Sequence, residues 1–330
     1  MAADAPATLD FQSLANIRLS DEERISQSIT NENAARAISA LHKDGIVCLS
    51  NAVDPTHIQA LHDRLEPEVE ELRRRHDTYW NNNSDDGSPT GNMAQGPPLD
   101  PDLMFDDIWA NGSALAVIAS ALGPNPRVNF VGGNTLLGDE KGAVRQNVHP
   151  DLTFNHGMIP FAYCANIYIS DTNIENGSTE LWLGSHRDCS YADQQPKVQI
   201  PGRPASRFAI KENLLEARRR FAPPIQPEIP KGSVVIRDLR LWHAGIPSQS
   251  PKPRIMLAFV HTAWWYECPT QVLFPESARA LVEKWARQKH PAVYNSLFVP
   301  DGIEHPPFTP NFDSGNIAFR KLLPHVSEDG

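Results

Sequence analysis

The chain has 330 residues and carries 40 acidic against 30 basic side chains, a net charge of -10 at neutral pH, with 40% hydrophobic residues. This composition is typical of a globular protein with a substantial core, and the shortage of Lys and Arg excludes nucleic acid or an acidic membrane surface as the main partner. The length is compatible with one large domain or with two.

The four cysteines are widely spaced and form no C-x-x-C pair, which indicates free thiols in a reducing compartment. The first residues lack the layout of a signal peptide, and no apolar run is long enough to cross a membrane. We therefore expect a cytoplasmic protein with no membrane partner. The 29 prolines disfavour a helical bundle and favour many short elements.

The first part of the chain has a helical pattern. Apolar residues in segment 31–43 recur with the spacing of one helix face, and Gly45 follows where a helix would end. Segment 46–49 is strand-like, and Asp54-Pro55 predicts the start of a second helix that bends at Pro67. Segment 81–101 is so polar and so rich in turn formers that we predict an unpacked loop, either a lid or plain disorder.

The pattern becomes extended after Gly123. Segment 161–170 alternates, so that its odd-numbered residues share one face, and segments 179–183, 233–236 and 254–262 are also strand-like. Short strands separated by Gly and Pro turns predict an antiparallel sandwich or barrel. A last helix is predicted over 276–289, before a proline-rich tail.

The motif His149-Pro150-Asp151 is the first candidate for chemistry. It follows a strand-like segment, 143–148, and in an extended chain residues two apart project to the same side, so both side chains could reach one metal ion. The motif is weak by itself, since His-x-Asp also occurs at 42–44 and 186–188.

A second pair of candidates, His243 and Arg254, lies in segment 232–254. Two histidines and one carboxylate form the facial arrangement that suits ferrous iron, because it leaves positions for substrate and oxygen. The guanidinium of Arg254 could grip the far end of a small dicarboxylic acid.

Four blocks in this order carry a family resemblance: DGIVCLSNAVDPTHIQALHDRL, QNVHPD, DTNIENGSTELWLGSHRD and LRLWHAGIPSQSPKPR. With them the chain resembles the phytanoyl-CoA dioxygenase (PhyH) family of iron(II) and 2-oxoglutarate dependent oxygenases, especially fungal members of small-molecule biosynthesis. The resemblance covers roughly residues 31–262.

The resemblance implies a mainly β fold with flanking helices, a double-stranded β-helix or cupin-like jelly roll. It implies a single domain over 1–330, with a helical buttress and lid loop at 31–122, the β-helix core at 123–264 and a C-terminal helix and tail at 265–330.

The resemblance also implies roles for individual residues. His149, Asp151 and His243 would bind iron, and Arg254 would pair with the tail of 2-oxoglutarate. Gln146 and Thr179 match positions that contact 2-oxoglutarate in related enzymes. The chain departs from the common Arg-x-Ser pattern, since Met256 replaces the serine, and Thr179 is one candidate for the missing hydroxyl.

The implied reaction oxidises an unactivated C-H bond of a small metabolite, using O2 and releasing succinate and CO2. Hydroxylation, desaturation, epoxidation and rearrangement all remain open. We favour an alkaloid, terpenoid or polyketide substrate over an acyl-CoA, and leave a homodimer open as the assembly state. Two alternatives are a zinc or other metal-dependent hydrolase or isomerase on the same barrel, and a barrel that only binds a ligand.

Several other residues have ordinary structural explanations. His261 lies an odd number of residues from Arg254, so in one strand it faces away from that side chain. No motif spacing indicates a functional role for His156 or His186. The aromatic run 264–266 is typical of a hydrophobic cluster. The arginines at 218–220 point in different directions on a helix, as solvent-exposed arginines usually do.

Overall fold

The computed structural model describes residues 13–302 apart from positions 86, 139, 153, 155 and 197–206, and it describes the backbone alone at 196, 207 and 208. The proline-rich tail at 303–330 and the first twelve residues, on which two of the sequence predictions rest, lie outside the described residues. Among the described residues, no helix has both the length and the apolar composition needed to cross a bilayer.

Among the described residues, six of the eight α-helices precede Gly123 and eleven of the fourteen strands follow it. The helices are α1 Asp21–Ser26, α2 Asn31–Asp44, α3 Pro55–Leu65, α4 Glu68–Arg74, α5 Asp106–Trp109, α6 Gly112–Leu122, α7 Glu212–Arg219 and α8 Arg279–Trp285. The strands are β1 Asn16–Arg18, β2 Ile46–Ser50, β3 Asn92–Ala94, β4 Arg127–Leu136, β5 Ala162–Tyr168, β6 Glu180–Leu181, β7 Gln194–Pro196, β8 Arg207–Ile210, β9 Val234–Asp238, β10 His243–Ala244, β11 Arg254–Thr262, β12 Val272–Pro275, β13 Val293–Tyr294 and β14 Ser296–Val299.

One large mixed sheet dominates the described part of the chain, in the order β1-β2-β9-β5-β11-β4-β13, with β3 paired to the end of β4. Its central strands are antiparallel, whereas β1 and β13 at the edges run parallel to their neighbours. The two-stranded sheet of β6 and β10 lies across a cavity from the main sheet. This arrangement is the predicted double-stranded β-helix, so the predicted fold class is confirmed.

The two faces of the main sheet have different neighbours. In β5, Ala165 and Ile167 pack into the hydrophobic core, whereas Cys164, Asn166 and Tyr168 line the cavity. This confirms the predicted alternation, and it shows that the second face, which the sequence left unassigned, is the face of the cavity.

Helices α2 and α6 cover the core face of the sheet, where Ala37, Leu41 and Ile118 are buried. The predicted amphipathic helix is therefore confirmed. It begins at the capping residue Thr30 and ends at Gly45, whose φ of +77° is left-handed. A side chain at Gly45 would also meet the ring of His186 at 2.4 Å, so glycine is required there for two reasons.

The helix predicted to bend at Pro67 is divided there into two, since α3 ends at Leu65 and α4 begins at Glu68. The last predicted helix is shorter than expected. A single 3-10 turn, Glu276–Ala278, precedes α8, which ends at Trp285.

The prediction that segment 81–101 does not pack is wrong. It contains β3, and the amide side chains of Asn92 and Gln95 are buried. Gln95 Nε2 donates to Leu65 O at 2.8 Å, and its Oε1 accepts from Thr135 Oγ1 at 2.6 Å. Polar residues pack here because their amides find hydrogen-bond partners inside the fold.

The strand predicted over 143–148 is absent as a regular element. The chain there is irregular, and two backbone contacts align it with the segment that contains β10. Gln146 N donates to Gly245 O at 2.9 Å, and His149 forms an isolated antiparallel bridge with His243. Those two contacts still align the segment with β10, which is what positions the first metal-ligand candidate.

Candidate active site

The side chains of His149, Asp151 and His243 meet at one point beneath the β6 and β10 strands. Each offers one ligand atom, and these atoms lie within 4.8 Å of one another. The backbone explains the convergence, because His149 N donates to His243 O at 2.9 Å and His243 N donates to His149 O at 3.0 Å. Asp151 N donates to Leu239 O at 2.9 Å, which holds the carboxylate beside the two rings.

Both imidazole rings are oriented by backbone carbonyls. Nδ1 of His149 lies 2.6 Å from Asn147 O, and Nδ1 of His243 lies 3.0 Å from Leu241 O. Because a carbonyl only accepts, each Nδ1 carries the hydrogen, and each Nε2 is left with a free lone pair. This is the orientation that metal-binding histidines usually have.

The charge state of His149 also suits a metal site. Burial is the main cause that lowers the pKa of His149, to about 3. The ring is therefore neutral at physiological pH, as a metal ligand must be.

Arg237 is a member of the site that the sequence analysis missed. Its guanidinium donates to Asp151 Oδ2, and its Nη1 lies 3.4 Å from His243 Nδ1. Burial raises the pKa of Asp151, but the charge of Arg237 outweighs it and holds that pKa well below its usual value. The sequence signal was an arginine inside the apolar run of β9, on the face shared with Val235.

Arg254 begins β11 and is buried, with an exposed fraction of 2%. Its Nε and Nη1 atoms have no hydrogen-bond partner among the described residues. Burial lowers the pKa of this guanidinium, but an arginine remains charged at neutral pH. A buried cation with two unused donors is suited to binding a carboxylate.

The structure also places Gln146 and Thr179 on this cavity, which has a volume of about 420 Å³. Gln146 Oε1 accepts from Gly245 N at 2.8 Å, and its Nε2 donates to Asn81 O at 3.0 Å. Its amide therefore joins three segments of the chain. Thr179 is half-buried. All six predicted site residues thus lie around one cavity, while the ligand contacts assigned to Gln146 and Thr179 stay predictions.

Further cavity residues were not identified from the sequence, because only strand pairing brings them to the site. They include an aromatic and amide-rich group: Tyr79, Asn81, Asn92, Phe130, Asn134, Asn166 and Tyr168.

The residues given structural explanations lie away from the ligand cluster. His261 is buried, and its Nδ1 faces Phe259 O at 3.1 Å. His186 is buried in a 3-10 turn, and Arg218 donates to Leu183 O. Of the aromatic run, Trp264 is exposed and Tyr266 is buried against Phe161.

Two solved structures share this fold. EctD from S. alaskensis, solved with 2-oxoglutarate and 5-hydroxyectoine, has a TM-score of 0.54 at 18% identity, over 87% of this chain and 95% of that chain. The epimerase SnoN, solved with Fe3+, alpha-ketoglutarate and nogalamycin RO, has a TM-score of 0.52 at 15% identity, over 82% of this chain and 98% of that chain. At these identities the similarity shows a shared fold.

The sequence itself matches a family model. The model is described as Phytanoyl-CoA dioxygenase (PhyH), and it matches residues 41–256, which include the three ligand candidates and Arg254. Since the match covers more than half of the chain, this protein belongs to the phytanoyl-CoA dioxygenase (PhyH) family.

Proposed function

We propose that the chain is an iron(II)- and 2-oxoglutarate-dependent oxygenase that oxidises an unactivated C-H bond of a small organic metabolite. One observation carries the proposal. The cluster of His149, Asp151 and His243 shares its cavity with the buried, unpartnered donors of Arg254. A metal-dependent hydrolase could use the same three ligands, but it leaves Arg254 without a role.

Iron(II) and 2-oxoglutarate, when bound, supply the oxidation of the C-H bond with O2 and the release of succinate and CO2. The protein side chains supply the positions. His149 and His243 offer Nε2, Asp151 offers one carboxylate oxygen, and Arg237 holds the other oxygen of that carboxylate. Arg254 would pair with the distal carboxylate of 2-oxoglutarate, which fixes the direction in which the cosubstrate lies.

The cavity also bears on the substrate. A volume of about 420 Å³ must hold the cosubstrate and the reacting part of the substrate, which suits a metabolite of modest size. Four asparagines on its wall, Asn81, Asn92, Asn134 and Asn166, can bind carbonyl, hydroxyl or amide groups. We therefore propose a free metabolite with hydrogen-bonding groups, such as an alkaloid, terpenoid or polyketide.

An acyl-CoA fits the described residues less well. A CoA phosphate needs several cations, and the cavity wall has two arginines, of which Arg237 is already paired with Asp151. Arg218 is buried against Leu183 and does not reach the cavity wall.

The proposal is tested by supplying the purified protein with iron(II), 2-oxoglutarate and air, and measuring succinate with and without a panel of such metabolites. We expect succinate that requires both iron(II) and O2, and a larger yield with a true substrate. Replacing iron(II) by zinc should abolish succinate formation. A protein that neither binds 2-oxoglutarate nor forms succinate would contradict the proposal.

A further inference from the structure

Arg254 by itself cannot satisfy every hydrogen-bonding position of a bound carboxylate. A carboxylate has about four lone-pair positions, and one edge of the Arg254 guanidinium can occupy two of them. A buried anion is stable only when its remaining positions also find donors. A carboxylate bound by Arg254 therefore needs at least one further hydrogen-bond donor among the described residues that face the cavity.

Strand pairing places Tyr168 next to this position. Met256 of β11 lies directly opposite Tyr168 of β5. Met256 is two residues from Arg254, so all three side chains project from the same face of the sheet. Tyr168 lines the cavity with Arg254 and has an exposed fraction of 4%. Among the described residues, no hydrogen bond joins its hydroxyl to another side chain or to the backbone.

Two other hydroxyls are close in sequence or in the cavity, and both fit less well. Ser170 lies opposite the start of β11, but its Oγ accepts from Ile255 N at 3.2 Å, and it is absent from the cavity wall. Thr179 is on the wall, but it precedes β6, on the side of the cavity across from the main sheet.

We propose that the Tyr168 hydroxyl donates a hydrogen bond to the distal carboxylate of 2-oxoglutarate and, with Arg254, forms the anchor of the cosubstrate. The inference rests on the proposed function and names a residue that Arg254 alone does not imply. It accounts for the site's lack of a serine two residues after the arginine, since Tyr168 places a hydroxyl opposite Met256.

The protonation state of Tyr168 is consistent with a donor. Burial raises the pKa of the phenol to about 12, although the charge of Arg254 opposes this. The hydroxyl therefore keeps its hydrogen throughout the neutral range. A phenol is also held by two side-chain torsions only, so little conformational entropy is lost when it binds a ligand.

The test is equilibrium binding of 2-oxoglutarate to the full chain loaded with Mn(II), a redox-inert replacement for iron(II), measured by titration calorimetry without turnover. We expect Tyr168→Phe to weaken 2-oxoglutarate binding about tenfold, which is typical for one hydrogen bond to a charged group. Binding of 2-oxobutyrate, which has the same metal-binding end but no distal carboxylate, should not change. Tyr163→Phe, at a buried tyrosine on the core face of the same strand, is the matched control and should alter neither affinity by more than about twofold. Thr179→Val is measured beside it as the variant of the alternative hydroxyl.

A second variant asks whether a hydroxyl on the opposite strand can replace the phenol. In the Tyr168→Phe background, Met256→Ser should recover part of the lost 2-oxoglutarate affinity and leave 2-oxobutyrate unchanged. A crystal structure of the unsubstituted protein with Mn(II) and 2-oxoglutarate gives an independent measurement, in which the Tyr168 oxygen should lie about 2.7 Å from a carboxylate oxygen.

The outcomes separate the two proposals. If the unsubstituted protein does not bind 2-oxoglutarate, the proposed function fails. If it binds, and Tyr168→Phe binds equally well or loses both ligands equally, the role of Tyr168 is overturned while the proposed function stands. A selective loss in Thr179→Val without one in Tyr168→Phe would assign the hydroxyl to Thr179 instead.

Discussion

The guanidinium of Arg237 donates to Oδ2 of Asp151, while Oδ1 of the same carboxylate lies 3.4 Å from Nε2 of His243. One oxygen of the carboxylate is thus held by the protein, and the other faces the ligand cluster. This division favours a carboxylate that binds a metal through a single oxygen, with its direction set by the arginine.

Removal of this contact should weaken metal binding. We expect Arg237→Met to lower Mn(II) affinity about 10- to 100-fold, the usual effect of losing a group that orients a metal ligand. Titration calorimetry measures the Mn(II) affinity. Arg74→Met, at an exposed arginine of α4, is the control and should leave the affinity unchanged. Equal affinities in the unsubstituted protein and Arg237→Met would show that Asp151 needs no such partner.

Arg254 should act on the cosubstrate and not on the metal. Arg254→Ala is expected to raise the 2-oxoglutarate concentration needed for half-maximal succinate formation at least about 100-fold, because truncation of a buried charge pair typically costs several kcal/mol. Arg254→Lys should restore little of the 2-oxoglutarate affinity, since an ammonium group cannot bind a carboxylate in bidentate geometry. Mn(II) affinity serves as the control and should be unchanged. An unaltered 2-oxoglutarate requirement would remove Arg254 from the proposed site.

Gln146 connects segments that are distant in sequence, so its replacement should affect stability. Gln146→Leu leaves the Gly245 N-H without its acceptor, which should lower the free energy of unfolding by about 1 to 3 kcal/mol. Urea denaturation measures the loss. The control is Gln59→Leu on the exposed face of α3, where no change beyond about 0.5 kcal/mol is expected. A stable Gln146→Leu protein with weakened 2-oxoglutarate binding would instead support the ligand contact predicted from the sequence.

Acid sensitivity should arise at Glu23, far from the cavity. Burial raises the pKa of this carboxyl, but hydrogen bonds from Thr30 N and Ser20 N, and then from Asn33, outweigh it and lower the pKa to about 2. Because the folded pKa lies below the unfolded value of 4.5, the stabilisation is complete above about pH 4.5 and is lost as the pH falls towards 2.

The substitution Glu23→Gln should therefore destabilise the protein by about 1 to 3 kcal/mol at pH 7, and by less than half as much near pH 2.5. Denaturation curves at the two pH values measure this. Glu22→Gln, at the exposed neighbouring position, should show no such pH dependence. A destabilisation of Glu23→Gln that is equal at both pH values would mean that the charge of Glu23 contributes nothing.

The sequence predicted features that depend on short-range pattern. The strand Arg254–Thr262 has the predicted bounds, and α2 lies within one residue of its predicted end. Both elements follow from the periodicity of apolar residues, which local geometry determines. The metal ligands and Arg254 were also identified, but through ordered motifs, since spacing alone left three equivalent His-x-Asp sites.

The missed features depend on pairing between distant strands. Arg237 reaches Asp151, and Tyr168 lies opposite Met256, only because β9, β5 and β11 are neighbours in a particular register. A one-residue slip would move these side chains to the other face of the sheet. The packing of segment 81–101 was missed for a related reason, since its amides are satisfied by partners such as Leu65 and Thr135 that composition does not reveal.

The central claim is that Asp151, with His149 and His243, binds the iron that drives 2-oxoglutarate turnover. The most direct measurement is O2-dependent succinate formation from 2-oxoglutarate with iron(II), compared between the unsubstituted protein, Asp151→Ala and Asp188→Ala. Asp188 belongs to another His-x-Asp motif and lies exposed at the end of a 3-10 turn, so it is the matched control. We predict loss of succinate formation in Asp151→Ala alone, and full succinate formation by Asp151→Ala would contradict the account.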